Sequence, residues 1–371
     1  MIKKYTSLGL MSGTSGDGVD ASMINSNGID KFEVIKNKYF EYDSKIYKSI
    51  HHLKDRIFDL NDLSKLSNEL KDLERKITLY HAKIVKEFKN DNNNFIVGFH
   101  GQTIYHNSKE KISMQLGDAN LLNQLTNKKI IFNFRKNDIS NGGEGAPLTP
   151  IYHQLIVSQK KIGLPVCILN IGGISNVTLI NKPINSFEIF SKDIGPGNCL
   201  IDNWIRKNSN QKFDLNGLLA SNGKINEIIF EQAQELYKNR KNKNKVSYDT
   251  NDFDISFTRG LSIEDGAATL TEFTASILGE SLSSFLNKIK FIDILVCGGG
   301  RKNKILIEGI KKNLPKRINL KLIDEFNING DFIESQAFAF LAIRSIKKLP
   351  ISFPNTTNCS RPISGGEIVD N

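Results

Sequence analysis

The chain has 371 residues, of which 39% are apolar, and 50 Lys and Arg against 40 Asp and Glu give a formal net charge of +10. A chain this long exceeds what one hydrophobic core usually holds, so two lobes are expected. It contains no run of about eighteen apolar residues and no signal-peptide pattern. This excludes a membrane-spanning class and predicts a cytoplasmic location. The four cysteines are scattered without a C-x-x-C pair, which indicates reduced thiols rather than disulfides or zinc.

The positive charge could suit nucleic acid, but its distribution favours another explanation. The densest basic run, residues 238–245, mixes Lys and Arg with Asn and has no interleaved aromatic residue. Such a run is typical of a solvated loop. No nucleic-acid partner is therefore expected, and the positive field favours small anionic ligands.

Strand and helix patterns alternate in the first half of the chain, which predicts an α/β protein. Apolar residues at helical spacing predict one long helix or a helix pair over residues 60–88. A buried strand over 95–99 is expected to carry residues 100–103 at its C-terminal end, and Asp118 is expected to cap a helix that runs to 125. Further strands are predicted over 5–11, 19–24, 32–42 and 130–134.

The second half repeats the alternation after a stretch rich in Gly and Pro, residues 141–150. This stretch is predicted to cross between lobes, with an N-terminal lobe over 1–140, joined by the tail 350–371, and a C-terminal lobe over 141–349. Strands are predicted over 166–170, 176–180 and 292–296, and helices after Pro196 and over 264–285 and 334–347.

Three glycine-rich turns follow three of these strands, at residues 12–18, 170–176 and 297–300. Glycine lets backbone N–H groups approach phosphate oxygens without a Cβ in the way. Each turn alone suits a structural hairpin equally well. None matches the G-x-x-x-x-G-K-[ST] or G-x-G-x-x-G pattern. Three turns at strand ends favour a phosphate site, where Asp17 or Asp20 could hold Mg²⁺ directly or through water.

Asp193 precedes a turn, Gly195-Pro196-Gly197, and a predicted helix. An isolated Asp in this position commonly caps the helix or forms an Asx-turn. The alternative is a general base beside backbone donors that receive a phosphate.

Nine segments of the chain, taken together and in order, resemble the anhydro-N-acetylmuramic acid kinase family over nearly the whole length. The first reads MSGTSGDGVD, and the others include HGQT, NIGGISN, DIGPGN and CGGG. They lie at residues 11–20, 100–103, 115–118, 134–138, 142–147, 170–176, 193–198, 297–300 and 334–342.

This resemblance implies a two-lobed actin-like ATPase fold of the actin/hexokinase/Hsp70 type, with the active site in the interlobe cleft. It also implies ATP and Mg²⁺ as cofactors, an amino-sugar substrate, and a homodimer. Asp193 matches the catalytic aspartate. The implied cofactor-binding residues are Gly13, Thr14, Ser15, Gly16, Asp17, Gly18, Val19 and Asp20 in the first phosphate loop, Gly172, Gly173 and Asn176 in the second, and Gly298, Gly299 and Gly300 near the adenosine.

The reaction that the resemblance implies opens the 1,6-anhydro bridge of 1,6-anhydro-N-acetylmuramic acid with water and transfers the γ-phosphoryl of ATP to O6. Arg135 is a candidate for pairing with a carboxylate or phosphate, or else a surface ion pair. His100 is either a structural turn residue or a donor to the sugar. The expected sugar-contacting residues are His100, Gln102, Thr103, Arg135 and Asp138.

Three positions depart from the pattern that the family usually has. Ile194 stands in place of Thr beside the aspartate, Asn133 in place of Asp before Phe-Arg, and Gly16 in place of a bulkier residue. Alternatives to the leading interpretation are an actin-like kinase for another amino sugar, a non-kinase ATP-binding protein of the same fold, and, last, a nucleic-acid binder.

Overall fold

The computed structural model describes residues 3–88, 94–108, 110–184, 188–239 and 247–370, so most of the basic run, residues 240–245, lies outside the described part. Helices and strands alternate along the chain, which confirms the α/β class. The chain forms two compact units. Unit 1 comprises Met1–Leu164, Ile180–Ser191 and Asp331–Asn371, and unit 2 comprises Pro165–Leu179 and Lys192–Gly330.

The described residues form the following strands, in chain order: β1 (Tyr5–Ser12), β2 (Gly18–Ser26), β3 (Phe32–Glu41), β4 (Ile96–Asn107), β5 (Ile112–Leu116), β6 (Ile130–Phe132), β7 (Val166–Ile171), β8 (Ile174–Ile180), β9 (Ile189–Pro196), β10 (Ile292–Cys297), β11 (Ile318–Leu322) and β12 (Glu367–Val369).

The α-helices over the same part of the chain are α1 (Ser44–Lys54), α2 (Leu60–Lys65), α3 (Ser67–Glu87), α4 (Ala119–Thr126), α5 (Lys136–Ser140), α6 (Pro150–Gln159), α7 (Cys199–Asn208), α8 (Leu218–Asn222), α9 (Glu227–Lys238), α10 (Ile263–Phe285), α11 (Lys304–Lys312), α12 (Ile333–Ile346) and α13 (Pro354–Thr357). The segment over 60–88 is thus a helix pair, and Asp118 caps α4 by accepting from the Leu121 N–H.

Unit 1 is built on a sheet of seven described strands in the order β12-β6-β4-β1-β2-β3, with β5 paired to β4. β1 and β4 are parallel, as are β4 and β6, so their carboxyl ends meet at one edge. The helix α12 is buried almost throughout and packs on β1, β2 and β4. Gly9 and Gly98 allow this close approach, because a Cβ at either position would strike the α12 backbone.

The boundary of unit 1 differs from the predicted crossover at 141–150, because α6 also belongs to this unit. Its Tyr152 is fully buried, packs edge-on against Phe32 at 5.2 Å between ring centroids, and donates to Gln336 Oε1 at 2.9 Å. The C-terminal tail lies in unit 1 as well, where β12 pairs antiparallel with β6.

Unit 2 is built on the second sheet, in the order β11-β10-β7-β8-β9. β10 runs parallel to β7 and to β11, which brings the carboxyl ends of β7 and β10 together, with Cys297 opposite Asn170. The helix α10 begins at the capping residue Ser262, whose side chain accepts from the Asp265 N–H, and it is largely buried. Two apolar clusters fill the unit, one against the sheet and one around Trp204.

Candidate active site

The first glycine turn joins β1 to β2 in unit 1. The Gly16 N–H donates to the Gly13 carbonyl at 3.1 Å and closes the turn. Gly16 has a φ of +62°, and a Cβ there would lie 2.9 Å from Ile50 Cγ2. Glycine therefore suits this backbone better than a bulkier residue does, which explains the departure at this position.

Side chains of other elements hold this turn by hydrogen bonds to its backbone carbonyls. Gln102 is fully buried, and its Nε2 donates to the Gly13 carbonyl at 2.9 Å while its Oε1 lies 2.5 Å from Ser12 Oγ. Lys54 Nζ donates to the Thr14 carbonyl at 2.9 Å. These contacts give Gln102 the role of holding the turn. Thr103, the next residue, accepts from Gln115 Nε2 at 3.3 Å.

The face of the turn at Gly13 is open. A Cβ built there would meet nothing within 4 Å except Ser15 Oγ at 3.9 Å. By contrast, a Cβ at Gly18 would strike the backbone of β3, and Val19 is fully buried. Only the first part of the segment 13–20 is thus shaped for the close approach of a ligand to the backbone.

Asp17 and Asp20 supply oxygen ligands of the type that Mg²⁺ prefers. Ser15 Oγ donates to Asp17 Oδ1 at 2.5 Å. Burial, together with the negative charges of Asp17 and Asp20, raises the pKa of the Tyr39 hydroxyl, so both carboxylates lie near it. Across the described ranges, no group of three or more His, Cys, Asp and Glu forms a metal cluster. Two carboxylates fit Mg²⁺ that keeps phosphate and water ligands.

Residues 100–103 lie inside a strand, which corrects the prediction that they follow one. β4 continues to Asn107 because β5 pairs with its second half, where Gln102 lies opposite Leu116. The predicted strand ends at Phe99, because its continuous apolar run ends there. The pairing with β1 nevertheless places Gln102 beside Ser12, and so brings this segment to the first glycine turn.

His100 supports Arg135. Its ring is 5% exposed; Nδ1 lies 2.8 Å from the Gly101 carbonyl, and Nε2 lies 2.9 Å from one Arg135 nitrogen. Because the carbonyl can only accept, the proton resides on Nδ1 and Nε2 accepts from the guanidinium. Burial and then the charge of Arg135 hold the pKa of His100 well below its usual range. Both ring nitrogens are thus engaged, which favours a positioning role over a donor to the sugar.

Asp138 is also enclosed by protein. It is fully buried, its Oδ2 accepts from the Gly145 N–H at 2.8 Å, and its Oδ1 accepts from Thr357 Oγ1 at 2.7 Å. The Gly145 carbonyl in turn accepts from Arg135 at 2.8 Å. Asp138 therefore fixes the loop that holds Arg135, whose guanidinium carries the positive charge of this group.

Asn133 occupies a left-handed conformation, with a φ of +52°. Asn adopts this region more readily than most residues do. Its Nδ2 donates to Glu367 Oε2 at 3.0 Å, where an Asp would place a second negative charge. Asn at this position is therefore more compatible with the negative charge of Glu367 on β12 than Asp would be.

The second glycine turn and the segment after β9 stack on each other in unit 2. The N–H groups of Gly197 and Asn198 donate to the carbonyls of Gly173 and Gly172, each at 2.8 Å. A Cβ at Gly172 would make only an ordinary contact, 3.4 Å from the Ile174 carbonyl. Gly172 is thus a second open glycine.

Asn176 follows on β8, and its Oδ1 is buried with no hydrogen-bond partner among the described residues. A buried acceptor without a partner is costly. The atom is therefore available to a ligand or to water.

The third glycine turn lies beside the second. Gly298 has a φ of +80°, and a Cβ there would strike Asn170 and Ile171. Gly300 is closed in the same way by Ile171, whereas a Cβ at Gly299 would meet only Asn198 Nδ2, at 3.8 Å. Each of the three predicted loops therefore contains a glycine, Gly13, Gly172 or Gly299, at which a built Cβ would meet no atom closer than 3.4 Å.

Asp193 lies on β9 and does not cap α7. The N-cap of α7 is Asn198, and Asp193 is 7% exposed with its Oδ2 accepting from the Tyr248 N–H at 2.8 Å. The interpretation as a helix cap was thus wrong, because β9 extends to Pro196 and separates Asp193 from the helix. Ile194, the departure beside it, is 3% exposed and packs in the apolar cluster of the sheet.

Two residues next to these turns are not among the predicted site residues. Lys54 lies on α1 and contacts the first turn, and Arg301 follows the third turn directly. The only signal for Arg301 is its position after Gly300, where a bidentate cation commonly serves backbone or phosphate oxygens. Lys54 gives no signal, because it lies forty residues from the turn that it contacts.

Open glycines at the ends of strands in an α/β protein, with a buried carboxylate in the same unit as two of them, are features of a phosphotransferase. A family model described as anhydro-N-acetylmuramic acid kinase matches residues 5–371. The chain belongs to the anhydro-N-acetylmuramic acid kinase family.

Curated relatives agree over the full length. The chain is 54% identical over 375 residues to the anhydro-N-acetylmuramic acid kinase of Pelagibacter ubique, with 100% of both chains covered. It is 36% identical over 370 residues to that of Zymomonas mobilis, covering 97% of this chain and 98% of the relative. A solved component A of (R)-2-hydroxyglutaryl-CoA dehydratase from Acidaminococcus fermentans has a TM-score of 0.42 at 11% identity, covering 93% and 100%, and adds nothing to this assignment.

The function is that of the family: an ATP-dependent phosphotransferase that opens the 1,6-anhydro ring of 1,6-anhydro-N-acetylmuramic acid and phosphorylates O6, giving N-acetylmuramic acid 6-phosphate and ADP. The two α/β units agree with the two-lobed fold expected for the family. Within the described residues, no helix is long and apolar enough to cross a membrane.

Proposed function

We propose that Asp193 is the general base of this reaction. It takes a proton from the water that attacks the anomeric carbon, the bond from C1 to O6 breaks, and O6 takes the γ-phosphoryl group as ADP leaves. The observation that carries this proposal is the placement of the carboxylate. Asp193 is buried on β9, four residues before Gly197, whose N–H donates to the second glycine turn. The Tyr248 N–H orients the carboxylate.

The open glycines are the proposed contacts for ATP. Gly13, Gly172 and Gly299 each face space that no protein atom fills to within 3.4 Å of a built Cβ. A phosphate oxygen or the adenosine can approach the backbone there, as in other glycine-rich nucleotide loops. The closed glycines beside them hold the turns in shape.

Mg²⁺ is the proposed metal, with Asp17 and Asp20 as its protein ligands, directly or through water. When bound, the ion neutralises charge on the phosphates of ATP. Tyr39 supports these two carboxylates from β3.

Arg135 is the proposed partner of an anionic group on the sugar, since a guanidinium pairs with a carboxylate through two parallel bonds. His100 and the Gly145 carbonyl hold it in place. Thr103 is proposed as a polar contact to the sugar. The reaction is proposed to serve cell-wall recycling in the cytoplasm, in a homodimer.

The replacement Asp193→Asn tests the base. Since general-base catalysis contributes about 10²–10⁴-fold, kcat should fall by about that factor. The dissociation constant for ATP should change less than about 2-fold, because the fold and the glycine turns remain. Asp254→Asn, at an exposed aspartate of the same unit, is the matched control and should keep its activity. A kcat of Asp193→Asn within about 5-fold of the parent, about 1 kcal/mol, would refute the assignment.

Three alanine variants test the ATP contacts. Gly13→Ala, Gly172→Ala and Gly299→Ala should fold normally, because the protein leaves room for each methyl group. Each should weaken ATP binding by about tenfold or more, about 1.4 kcal/mol. Gly163→Ala is the control, since it also meets open space but lies outside the proposed site. Unchanged ATP affinity in all three variants would contradict the proposed contacts.

A further inference from the structure

Arg301 lies directly after the third glycine turn and is enclosed by it. The residue is 7% exposed, and one guanidinium nitrogen donates back to the Gly298 carbonyl at 3.0 Å. Two other nitrogens donate to Asp324, Nε to Oδ2 at 2.7 Å and the second to Oδ1 at 3.0 Å. This is the two-pronged geometry in which Arg and a carboxylate fix each other's orientation.

The same contacts hold the backbone on both sides of Gly298. The Gly298 N–H donates to the Gly330 carbonyl at 3.0 Å, and the Gly330 N–H lies 3.4 Å from Asp324 Oδ1. A Cβ at Gly330 would lie 2.6 Å from Arg301 Nε, so this position has no room for a side chain. Gly298 is thereby held at its positive φ by a closed ring of bonds.

Three of the five N–H donors of Arg301 bind Asp324 and the Gly298 carbonyl, so its guanidinium is tied to the turn that it follows. The neighbouring Gly299, however, is the open glycine of the turn. The direction of its backbone depends on Gly298, and Gly298 depends on Arg301.

We propose that Arg301, fixed by Asp324, is a positioning residue that holds the Gly298–Gly300 turn in the conformation that receives ATP. This inference rests on the proposed assignment of that turn to ATP. It attributes to the pair an effect on nucleotide affinity that is separate from the chemical step on the sugar.

Arg301→Lys keeps the positive charge but loses the planar guanidinium that donates two parallel hydrogen bonds. Asp324→Asn keeps the shape of the side chain but loses its negative charge. Each should raise the KM and the dissociation constant for ATP about tenfold, with kcat and the KM for the sugar within about threefold. The double variant should bind ATP no more weakly than the single variant with the larger effect, because both changes break the same ion pair.

The control is the ion pair of Lys321 and Asp293, which join at 2.8 Å in the same unit. Side chains of Asp293 and Asp324 are equally exposed, at 41%. Lys321→Met and Asp293→Asn should leave both KM values unchanged.

Three results would overturn the inference. If the Arg301 and Asp324 variants lower only Tm, or change kcat and both KM values together, the pair is structural. If Gly299→Ala leaves ATP affinity unchanged, the turn does not bind ATP, and the inference falls with that assignment. Weaker ATP binding in Gly299→Ala but not in Arg301→Lys would refute the positioning role alone and leave the proposed function standing.

Discussion

The two units differ in the groups that respond to protons near neutral pH. All six histidines of the chain lie in unit 1, whereas unit 2 contains none and holds the only tryptophan, Trp204. Three of these histidines are almost fully buried, and burial lowers the pKa of His81 to about 4 and that of His153 to about 3. The proposed base, Asp193, lies in the other unit. As the pH falls, unit 1 should therefore lose stability at pH values at which the stability of unit 2 is unchanged.

The largest expected effect is loss of stability in unit 1 as the pH falls. A buried histidine with a lowered pKa binds fewer protons folded than unfolded, so stability is full above the unfolded pKa, about 6.5, and decreases toward the folded value. For His81 the loss between about pH 6.5 and pH 4 is on the order of 3 kcal/mol. Hydrogen exchange, corrected for its intrinsic pH dependence, should show this loss in peptides of β1, β4 and α3, and less in those of β7 and β10.

His81→Phe sharpens the same comparison. The histidine ring packs edge-on against Phe99, with ring centroids 5.0 Å apart, and a phenyl ring has a similar shape. The variant should keep its stability at pH 7 to within about 2 kcal/mol and lose less on acidification than the parent does. Trp204 fluorescence provides the control in unit 2. An equal loss of stability in the two units on acidification would contradict the predicted difference between them. So would a His81→Phe variant whose stability depends on pH as the parent's does.

Replacing a glycine whose Cβ would strike other atoms should lower the free energy of unfolding in both units. Replacing a glycine with room for a Cβ should not. Gly298→Ala forces a side chain to positive φ against Asn170 and should cost about 3 kcal/mol of unfolding free energy. Gly16→Ala, at a φ of +62° and 2.9 Å from Ile50, should cost about 2 kcal/mol. Urea denaturation measures both, with Gly163→Ala as the reference. A stable Gly298→Ala protein with normal ATP binding would show that the turn is not held as described.

The smallest effect is expected at the surface of unit 1. Asn133→Asp removes the donor to Glu367 and places two carboxylates side by side, while Lys136 still pairs with Glu367 at 2.6 Å. The cost should be below about 1 kcal/mol and should shrink further in high salt. Denaturation at low and high salt measures it. A loss of kinase activity with unchanged stability would instead indicate that Asn133 belongs to the sugar site.

The elements of the fold were largely predictable from the sequence, because apolar periodicity marks both strands and helices. The helix of Ile263–Phe285 and the strand of Ile292–Cys297 each match their predicted bounds at one end and differ by one residue at the other. Some elements were not predicted, among them β9, which carries Asp193, and the second half of β4, which has no continuous apolar run and pairs with β5. This half of β4 forms a hairpin with β5, and the backbone pairing does not require a continuous apolar run.

The sequence motifs predicted the three glycine turns, but not which of their residues are enclosed by the protein. The motifs identified Gly298, Gly299 and Gly300 alike, yet only Gly299 faces open space. His100 and Asp138 were expected to contact the sugar, and their contacts instead hold Arg135 and its loop. Which atoms are enclosed depends on packing partners far apart in the chain, such as Thr357 for Asp138.

The most direct test of the account follows oxygen from water into the product. The protein is incubated with ATP, Mg²⁺ and 1,6-anhydro-N-acetylmuramic acid in ¹⁸O-water, with Asp193→Asn in parallel, and the first turnovers are analysed by mass spectrometry. The account predicts a phosphorylated sugar with one ¹⁸O at the anomeric carbon, and almost none from the variant. A phosphorylated product without ¹⁸O, or equal product from Asp193→Asn, would contradict the claim that Asp193 activates the attacking water.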